Sequence, residues 1–498
     1  MKKILFWIDI SLLYFGLAKF IQENFDCDMY SIYEITEKPK NFLKKQGIVN
    51  FKKTWFLHDY LLNNTNLDIA YLEKIEKKYS LNLHLIALND RMFNEINTYY
   101  KFSHNEILLI LQNEIKLFEM ILDEVNPDYI IMPLSHQQHN HIFYEICKSR
   151  EIKILMLAES RVGIDPESPI KYTRRHFIAD QMDPYLPLPK STTSNIENNI
   201  PDTKKIPVFP KKYPYQFENS AKEYLKGALK FLITKDENVK THYSYFGRQK
   251  IRVVIKILSY EMKKKYRYNF MNKYLSKEIP NDNSKYVYHP LHQEIERGLL
   301  LGAPFYSNQF ENIKHIASSL PVGYKLIVKE HPNSKTRGWR SVTEMKKIMN
   351  LPNVIFLHPL ANSNQIVDRS ELVISIRGSS GIEAALRNKP SIVFGKVGMY
   401  KFSTINVVNS MTELPNTIKQ ALEQKVDRRE IELYLKLVYE NTFDFPKNEI
   451  TNGFIETFAA GGYFANVEID PNEMSLFIEK HKDELSFLAQ KHIEIMKN

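Results

Sequence analysis

Residues 371–394 read ELVISIRGSSGIEAALRNKPSIVF, and this stretch decides the fold class. Glu371–Ile376 is a mainly apolar run of strand length, Ser380–Arg387 has the length and spacing of a short helix, and Pro390–Phe394 is a second apolar run. A strand, a helix and another strand in this order form a unit in which the strands are parallel and the helix covers the sheet. We therefore predict a parallel, helix-covered α/β sheet in this half of the chain.

The same alternation extends to both sides of this unit and recurs, more weakly, in the first 200 residues. In the second half, further strands are predicted at Tyr286–His289, Lys325–Val328 and Asn353–Leu357. In the first half, strands are predicted at Ile4–Ile10, Asn82–Leu88, Tyr129–Pro133 and Lys153–Ala158. Two such series predict an α/β protein with two Rossmann-like domains that face a cleft.

A polar stretch and a basic, aromatic-rich segment separate the two series. Between Pro201 and Glu278 the chain has 19 Lys and Arg against 7 Asp and Glu. The net charge of this segment, +12, exceeds the net charge of the whole chain, +10. We predict a helix from about Glu218 to Leu275 with a break near Thr241–Gly247. The predicted organisation is a first domain at 1–200, a basic helical insertion at 201–284, a second domain at 285–465 and a C-terminal helix at 466–498.

The basic segment 201–278 has two interpretations. Basic residues interleaved with aromatic side chains are typical of segments that bind an anionic membrane surface, a polyanionic glycan or nucleic acid. The other interpretation is a solvated helix whose lysines face water. We do not expect nucleic acid as a partner, because no recognition motif accompanies the charge.

Composition excludes several classes of protein. The shares of 43% hydrophobic and 25% charged residues are those of a globular chain. Glycine makes up only about 3% of residues, against a usual ~7%, which disfavours several glycine-rich phosphate loops. The two cysteines, Cys27 and Cys147, form neither a disulfide framework nor a zinc site and fit a reducing compartment. With Asp9 interrupting the apolar start and no membrane-length apolar run, we expect a cytoplasmic protein, with peripheral binding at the inner face of the membrane as the further option.

Polar residues follow several predicted strands, at the sheet edge where α/β proteins bind ligands. The sequence KEHP at 329–332 comes directly after the strand at 325–328. His331 can donate a hydrogen bond to a phosphate or protonate a leaving oxygen, Lys329 adds positive charge, and Pro332 fixes the turn. The alternative is an ordinary loop histidine.

A second group follows the strand Glu371–Ile376. Arg377, Gly378, Ser379 and Ser380 form a turn into a helix, and such a helix start with hydroxyls and an arginine suits a phosphate. Glu383 either reaches a ribose hydroxyl or forms a capping box with Ser380.

Three further groups are candidates. The sequence HPLHQEIE at 289–296 places His292 and Glu296 at another strand end, although its spacing matches no compact zinc or calcium pattern, so we expect no metal. Asp9 follows the first strand as a general base or as a helix N-cap. A polar loop, facing either substrate or solvent, is predicted to hold His136, His139 and His141.

In chain order, PLH…E at 290–296, KEHP at 329–332, GSSGIEA at 378–384 and KP…FG at 389–395 resemble the capsule polysaccharide biosynthesis family. This family includes the Kdo transferases of capsule assembly and is similar to GT-B glycosyltransferases that use CMP-activated acidic sugars, such as bacterial sialyl- and polysialyltransferases. Those enzymes share a His-Pro motif and a downstream serine motif that contact the donor nucleotide. The resemblance implies this role for His331 with Pro332 and for Ser379 with Ser380. No clear acidic motif marks the acceptor side.

The resemblance implies an inverting GT-B glycosyltransferase that transfers an acidic sugar from a CMP-activated donor to a surface or capsular glycan, free or lipid-linked. The second domain would bind the nucleotide, the first would present the acceptor, and no resident cofactor is expected. Two alternatives stay open. One is a polyol-phosphate transferase of the CDP-glycerol type, and the other is a non-catalytic glycan-assembly protein with a degenerate transferase fold.

Overall fold

The computed structural model describes most of the chain, and everything below concerns those residues. They are 1–62, 65–134, 137–160, 175–182, 229, 231–233, 238–293, 297–377, 380–394, 403–459 and 466–497. Within them the strands form two six-stranded sheets. No helix in the described ranges is long and apolar enough to cross a membrane.

The first sheet has the strand order β3-β2-β1-β4-β5-β6 and is parallel except for β6, which runs antiparallel to β5. Its strands are β1 Lys2–Ile8, β2 Cys27–Tyr33, β3 Lys53–Phe56, β4 Tyr129–Ile131, β5 Lys153–Glu159 and β6 His176–Ala179. Its helices are α1 Leu13–Asn24, α2 Glu37–Lys45, α3 Ile69–Tyr79, α4 Leu83–Asn89, α5 His104–Val125 and α6 Gln138–Ser149. β1 and β4 lie side by side in the centre with buried, apolar side chains on both faces.

The strand predicted at Asn82–Leu88 is wrong, because this stretch forms α4. The Asn82 side chain accepts a hydrogen bond from the backbone N–H of Leu85 at 2.8 Å and caps the helix. Leu83, Ile86 and Ala87 are buried, and their spacing of three and four residues places them on one helical face. A short apolar run fits a strand and a buried helix equally well, and here the N-cap asparagine decides for the helix.

The second sheet is parallel throughout and has the order β12-β11-β10-β7-β8-β9. Its strands are β7 Lys285–Pro290, β8 Tyr324–Lys329, β9 Val354–Leu357, β10 Ser370–Ser375, β11 Ser391–Phe394 and β12 Ile405–Val408. The strand order reverses between β7 and β10: β8 and β9 extend the sheet on one side of β7, and β10, β11 and β12 extend it on the other. The first sheet has the same reversal of strand order between β1 and β4. Loops that leave such a reversal point diverge and open the crevice in which α/β sheets bind ligands. The prediction of two Rossmann-like α/β domains is confirmed.

The helices between and after these strands pack on the second sheet, link the domains or, at the C-terminal end of the chain, pack on the first domain. They are α7 Asn238–Thr241, α8 Lys250–Tyr274, α9 Arg297–Leu300, α10 Gln309–Ser319, α11 Val342–Met349, α12 Ser363–Arg369, α13 Ser380–Leu386, α14 Leu414–Glu423, α15 Arg428–Glu440, α16 Lys447–Phe458, α17 Pro471–Lys480 and α18 Lys482–Lys497. The C-terminal helix predicted at 466–498 is thus two helices, which meet at His481.

The C-terminal part of the chain returns to the first domain. Phe454 of α16, Met474 of α17 and Leu485 of α18 belong to the same hydrophobic core as Phe6 of β1. An ideal Cβ on Gly16 of α1 would lie 3.0 Å from a Leu485 methyl group, so α1 and α18 pack closely. The range 285–465 predicted for the second domain therefore includes a helix, α16, whose buried side chains contact the first domain.

Helix α8, which we call the bridging helix, contacts both domains. At its start, Lys256 donates a hydrogen bond to the Thr98 hydroxyl of the first domain at 2.9 Å. Near its end, Arg267 donates to the backbone carbonyls of Gly338 and Trp339 in the second domain at 3.0 and 2.7 Å. The predicted helical break near Thr241–Gly247 is confirmed, and most of the predicted helix before residue 238 lies outside the described residues.

The turn that leads into the bridging helix requires glycine at position 247. Gly247 has φ +73°, and a Cβ there would lie 2.5 Å from the carbonyl oxygen of Tyr99. We expect Gly247→Ala to lower the free energy of unfolding by about 1–3 kcal/mol, from left-handed strain and this overlap. Urea unfolding measures it. Gly47→Ala is the matched control, because nothing lies within 4 Å of its Cβ position; equal effects of the two substitutions would contradict the account.

Candidate functional site

The loop after β8 holds His331 in a defined orientation. His331 is the N-cap of a short 3₁₀ helix, Pro332–Arg337, and its Nδ1 accepts a hydrogen bond from the backbone N–H of Asn333 at 3.2 Å. Proline at the first helical position supplies the fixed φ that this turn needs. Because Nδ1 is an acceptor, the neutral imidazole carries its proton on Nε2.

A buried ion pair between Glu330 and Arg340 holds this loop in place. Glu330 Oε2 accepts from Arg340 Nε at 2.9 Å, and Glu330 Oε1 accepts from the Ser334 hydroxyl at 3.0 Å. The side chains of Glu330 and Arg340 are 2% and 1% exposed, and Arg340 also pairs with Glu344. Loss of Arg340 would therefore remove the counter-ion of this pair from the buried Glu330 carboxylate. Glu330 therefore supports the loop and is not the acid or base of a reaction.

Lys329 points away from solvent towards the neighbouring strand-end loop. It is buried, and its Nζ donates to the Ser363 hydroxyl at 2.5 Å, at the start of α12. Burial lowers the pKa of Lys329 to about 8, and the charge of Glu383 opposes this shift. The structure thus brings two of the predicted residues, Lys329 and Glu383, into electrostatic contact, although they are more than 50 positions apart in the sequence.

His292 and Arg377 are in contact at the point where the strand order of the second sheet reverses. His292 follows β7, and its Nε2 accepts from the backbone N–H of Arg377 at 3.3 Å and lies 3.4 Å from the Ser375 hydroxyl. Ser380 is the first residue of α13 and is partly buried, as is Glu383. Three predicted site residues lie outside the described residues: Gly378, Ser379 and Glu296. The capping box of Ser380 with Glu383 stays a prediction.

His289 has a structural role. It is fully buried in β7, and its Nδ1 donates to the carbonyl of Ile374 in β10 at 2.6 Å. Burial lowers the pKa of His289 to about 4, so the ring is neutral at physiological pH. In the described part of the chain, no group of three His, Cys, Asp or Glu side chains is arranged to hold a metal ion.

In the first domain, Asp9 lies just beyond β1. Its Oδ1 accepts hydrogen bonds from the hydroxyl and the backbone N–H of Ser11 at 2.5 and 3.0 Å. Helix α1 begins at Leu13 without a side-chain cap, so the alternative role of Asp9 as N-cap is wrong. Burial raises the pKa of Asp9, Ser11 opposes the shift, and the nearby charge of Glu34 raises the pKa further.

Glu34, which the sequence analysis did not single out, follows β2 at the same sheet edge. Its Oε2 accepts from Trp7 Nε1 at 2.9 Å and from Asn140 Nδ2 at 3.0 Å. Its Oε1 lies 2.9 Å from Nε2 of His139, whose ring stacks on Trp7. The predicted polar loop is therefore wrong for His139, which is buried in α6, and for His141 in the same helix, while His136 lies outside the described residues.

The Glu34–His139 pair is charged at neutral pH. Burial disfavours the imidazolium, but Glu34, with Glu114 and Asp90 behind it, raises the pKa of His139 to about 9. Burial also acts against the Glu34 carboxylate, yet the charge of His139 and three hydrogen bonds leave its pKa lower than usual. Two opposite charges in contact each stabilise the other's ionised form.

A cavity of about 200 Å³ lies beside this pair, beyond the carboxyl ends of β1 and β2. Its lining includes Glu34, His58, Gln137, His242, Tyr243 and Arg248. The rings of His58 and His242 lie 3.9 Å apart between centroids, and burial lowers the pKa of both. The cavity is thus formed jointly by strand ends of the first domain and by the segment that leads into the bridging helix.

Comparison with known proteins identifies the family. A model of the family described as capsule polysaccharide biosynthesis protein matches residues 185–438, just over half of the chain. The chain belongs to this family. The match confirms the resemblance inferred from the His-Pro and serine motifs, and it spans both motifs of this capsule biosynthesis protein.

Among solved structures, KpsC of Thermosulfurimonas dismutans, a beta Kdo 2,7 transferase, is 12% identical, with a TM-score of 0.29 over 65% of this chain and 89% of that one. UDP-GlcNAc 2-epimerase of Methanocaldococcus jannaschii is 10% identical, with a TM-score of 0.28 over 88% and 99%. The spinosyn rhamnosyltransferase SpnG is 10% identical, with a TM-score of 0.25 over 88% and 96%. No curated protein matches the chain.

The Glu34–His139 ion pair of this capsule biosynthesis protein has a measurable signature in the pH dependence of stability. The folded-state pKa of His139, about 9, lies above its ordinary 6.5, so the stabilisation is full below pH 6.5 and is lost as the pH rises through 9. From pH 6.5 to about 10, we expect the wild type to lose roughly 2–4 kcal/mol more unfolding free energy than His139→Gln. Urea unfolding at several pH values measures this difference.

The matched control for that experiment is His315→Gln, which changes an exposed histidine in the second domain. We expect this variant to keep the wild-type pH dependence. Parallel stability curves for the wild type and His139→Gln would contradict the ion pair.

Proposed function

We propose that this protein is an inverting GT-B glycosyltransferase that transfers an acidic sugar from a CMP-activated donor to a surface or capsular glycan. Family membership and the two Rossmann-like domains support the proposal. The observation that carries it is the chemistry of the two sheet edges. Side chains with the chemistry to bind a phosphate follow β7, β8 and β10 of the second sheet, and carboxylates follow β1 and β2 of the first.

On the donor side, the second domain would bind the nucleotide at the reversal point between β7 and β10. His331 has the Nε2 proton needed to donate to a phosphate oxygen, and Arg377 and Ser380 lie at the neighbouring strand end. These groups would stabilise the negative charge that develops on the departing phosphate. The bond from the anomeric carbon to the phosphate oxygen breaks, and its electron pair leaves with CMP.

On the acceptor side, we assign the general base to Asp9. The acceptor hydroxyl oxygen forms the new bond to the anomeric carbon, and its proton passes to the Asp9 carboxylate. Asp9 suits this task because its raised pKa makes it a stronger base than an ordinary aspartate. Glu34 is less suited, because its pKa is lowered and both its oxygens already have partners.

The donor-side assignment is tested with His331→Ala. We expect turnover of a CMP-sugar to fall roughly 10²–10⁴-fold, the range for groups that donate a hydrogen bond or a proton to a leaving group. CMP release under saturating donor is the measurement, and unchanged thermal unfolding shows that the fold survives. His315→Ala, which removes an exposed histidine of the same domain, should keep wild-type turnover. Near-normal turnover of His331→Ala would remove this residue from the mechanism.

The acceptor-side assignment is tested with Asp9→Asn, which keeps the shape and removes the base. We expect turnover to fall roughly 10²–10⁴-fold while the affinity for CMP stays within about twofold, because Asp9 lies in the other domain. Calorimetric titration with CMP gives the affinity. A variant that loses CMP binding, or one that keeps wild-type turnover, would contradict the assignment.

We further propose that the bridging helix binds an anionic membrane surface. Four apolar side chains that are 56–73% exposed repeat at helical spacing on one face of this helix: Ile251, Ile255, Leu258 and Met262. Exposed Lys263 and Lys265 follow them. Apolar side chains on one face, with lysines beside them, are typical of interfacial helices. Arg267 does not take part, because it hydrogen-bonds the loop after His331.

We expect the wild type to bind vesicles that contain anionic lipid in a salt-sensitive manner and to bind neutral vesicles weakly. The double reversal Lys263→Glu with Lys265→Glu should weaken binding at least about 30-fold, from ~1 kcal/mol for each lysine lost. Lys74→Glu with Lys77→Glu, on an exposed face of α3, is the charge-matched control. Vesicle sedimentation measures both, and equal effects of the two double reversals would contradict a surface on the bridging helix.

A further inference from the structure

A positively charged side chain that the proposed donor site does not use, Arg248, lines the cavity of the first domain. Arg248 contributes to the lining of this 200 Å³ space together with Glu34. Its guanidinium carbon lies 4.4 Å from the centroid of the Tyr245 ring and 5.7 Å from that of Tyr99. The two aromatic rings thus hold the planar guanidinium at the wall of the cavity.

Among the residues that the structure describes, Arg248 has ring contacts but no carboxylate partner. Its Nε is buried and has no hydrogen-bond partner, and none of the ion pairs among the described residues includes it. A buried donor that is left unsatisfied costs free energy, and arginine in such a place is ordinarily paired. An unsatisfied guanidinium N–H beside a cavity indicates a ligand with an atom that accepts a hydrogen bond.

The position of Arg248 is determined by the surrounding structure. Gly247 packs directly against the Tyr99 carbonyl, and the backbone N–H of Arg248 donates to the Tyr245 carbonyl at 3.2 Å. Tyr243 of the same segment is buried, and its hydroxyl lies 3.1 Å from Gln138 Nε2 and 3.2 Å from His139 Nδ1. The segment therefore places Arg248 at a fixed distance from the Glu34–His139 pair.

The charges around the cavity favour an anion. The carboxylate of Glu34 is already compensated by the imidazolium of His139. His58 and His242 are neutral at physiological pH, because burial lowers the pKa of each. Glu114, behind the pair, is protonated for the most part, since burial raises its pKa to about 8. Among the cavity-lining groups Glu34, His58, His242 and Arg248, the charge of Arg248 is thus the one that no opposite charge compensates.

We propose that this cavity is an acceptor subsite that binds an anionic group of the acceptor through Arg248. The guanidinium plane matches the paired oxygens of a carboxylate or a phosphate. The anion is either the carboxylate of an acidic sugar unit or a phosphate ester on the glycan or its carrier. The naming of this ligand as an acceptor rests on the proposed function, whereas the anion site itself does not.

The test is calorimetric titration of the full chain with three probes: D-glucuronate, D-glucose 6-phosphate and D-glucose. We expect at least one of the anionic sugars to bind, less tightly as salt is added, and D-glucose to bind at least about tenfold more weakly. The stronger of the two anionic probes identifies the source as a carboxylate or a phosphate. Equal binding of D-glucose, or binding of neither anionic sugar, would overturn the proposal.

Two substitutions assign the binding to Arg248. Arg248→Gln should weaken the anionic probe about ten- to a hundredfold, as expected for a lost hydrogen bond to a charged group. Arg248→Lys, which keeps the charge, should bind more tightly than Arg248→Gln and shows that the cavity persists. Lys265→Gln, which removes one exposed charge from the bridging helix, is the control and should bind as the wild type does. Wild-type affinity in Arg248→Gln would overturn the assignment.

CMP titration separates this proposal from the proposed function. Arg248→Gln should bind CMP as the wild type does, because the nucleotide would bind the second domain. If the wild type binds anionic sugars and no nucleotide, the transferase proposal fails while the anion subsite stands. If it binds CMP and no anionic sugar, the subsite fails while the transferase proposal stands.

Discussion

The bridging helix, Lys250–Tyr274, links the two domains through the hydrogen bonds and close contacts at its two ends. One end is fixed at Tyr99 through Gly247, and the other is fixed at the loop after His331 through Arg267. A transferase with its donor and acceptor on separate domains gains rate only if both reactants are held in line at reacting distance. Since the same helix adjoins both candidate sites, a shift at one of its ends changes the relation between them.

Each candidate site also has a buried ion pair at its base. In the second domain, Glu330 and Arg340 hold the turn that presents His331. In the first domain, Glu34 pairs with His139, and the charge of Glu34 adds to the burial that raises the pKa of Asp9. Buried pairs contribute little net stability, but removal of one partner costs several kcal/mol, typically about 3–5. They fix the geometry of a site more than they add to the stability of the fold.

The sequence allowed the second sheet to be predicted well, because its strands are continuous apolar runs and His331 directly follows one of them. The first sheet was harder to predict. β2, Cys27–Tyr33, contains an aspartate and a serine, so its strand character and the role of Glu34 at its end were missed. The helix at Leu83–Asn89 has the same apolar composition as a buried strand, and only its asparagine cap distinguishes it.

Other features of the sites depend on contacts between distant residues. Glu34 and His139 are about a hundred positions apart, and neither residue alone has a pattern that indicates an ion pair. The basic segment was predicted from its charge, but the sequence does not distinguish Arg267, which binds the second domain, from the exposed Lys263 and Lys265. Arg248 likewise resembles any other basic residue until the cavity beside it is known. Burial and partners, which are properties of the fold, decide these roles.

The identity of the nucleotide tests the central claim most directly. Thermal unfolding of the full chain can be followed with CMP, CDP, UDP and GDP, and with a sugar conjugate or the glycerol conjugate of each class. A nucleotide at 100 times its dissociation constant should stabilise the protein by about 2.7 kcal/mol, which is readily measured. The account predicts the largest stabilisation by CMP and a CMP-linked acidic sugar, and a smaller one by UDP and GDP. Stronger stabilisation by CDP-glycerol, UDP or GDP than by CMP, or none by any nucleotide, would contradict it.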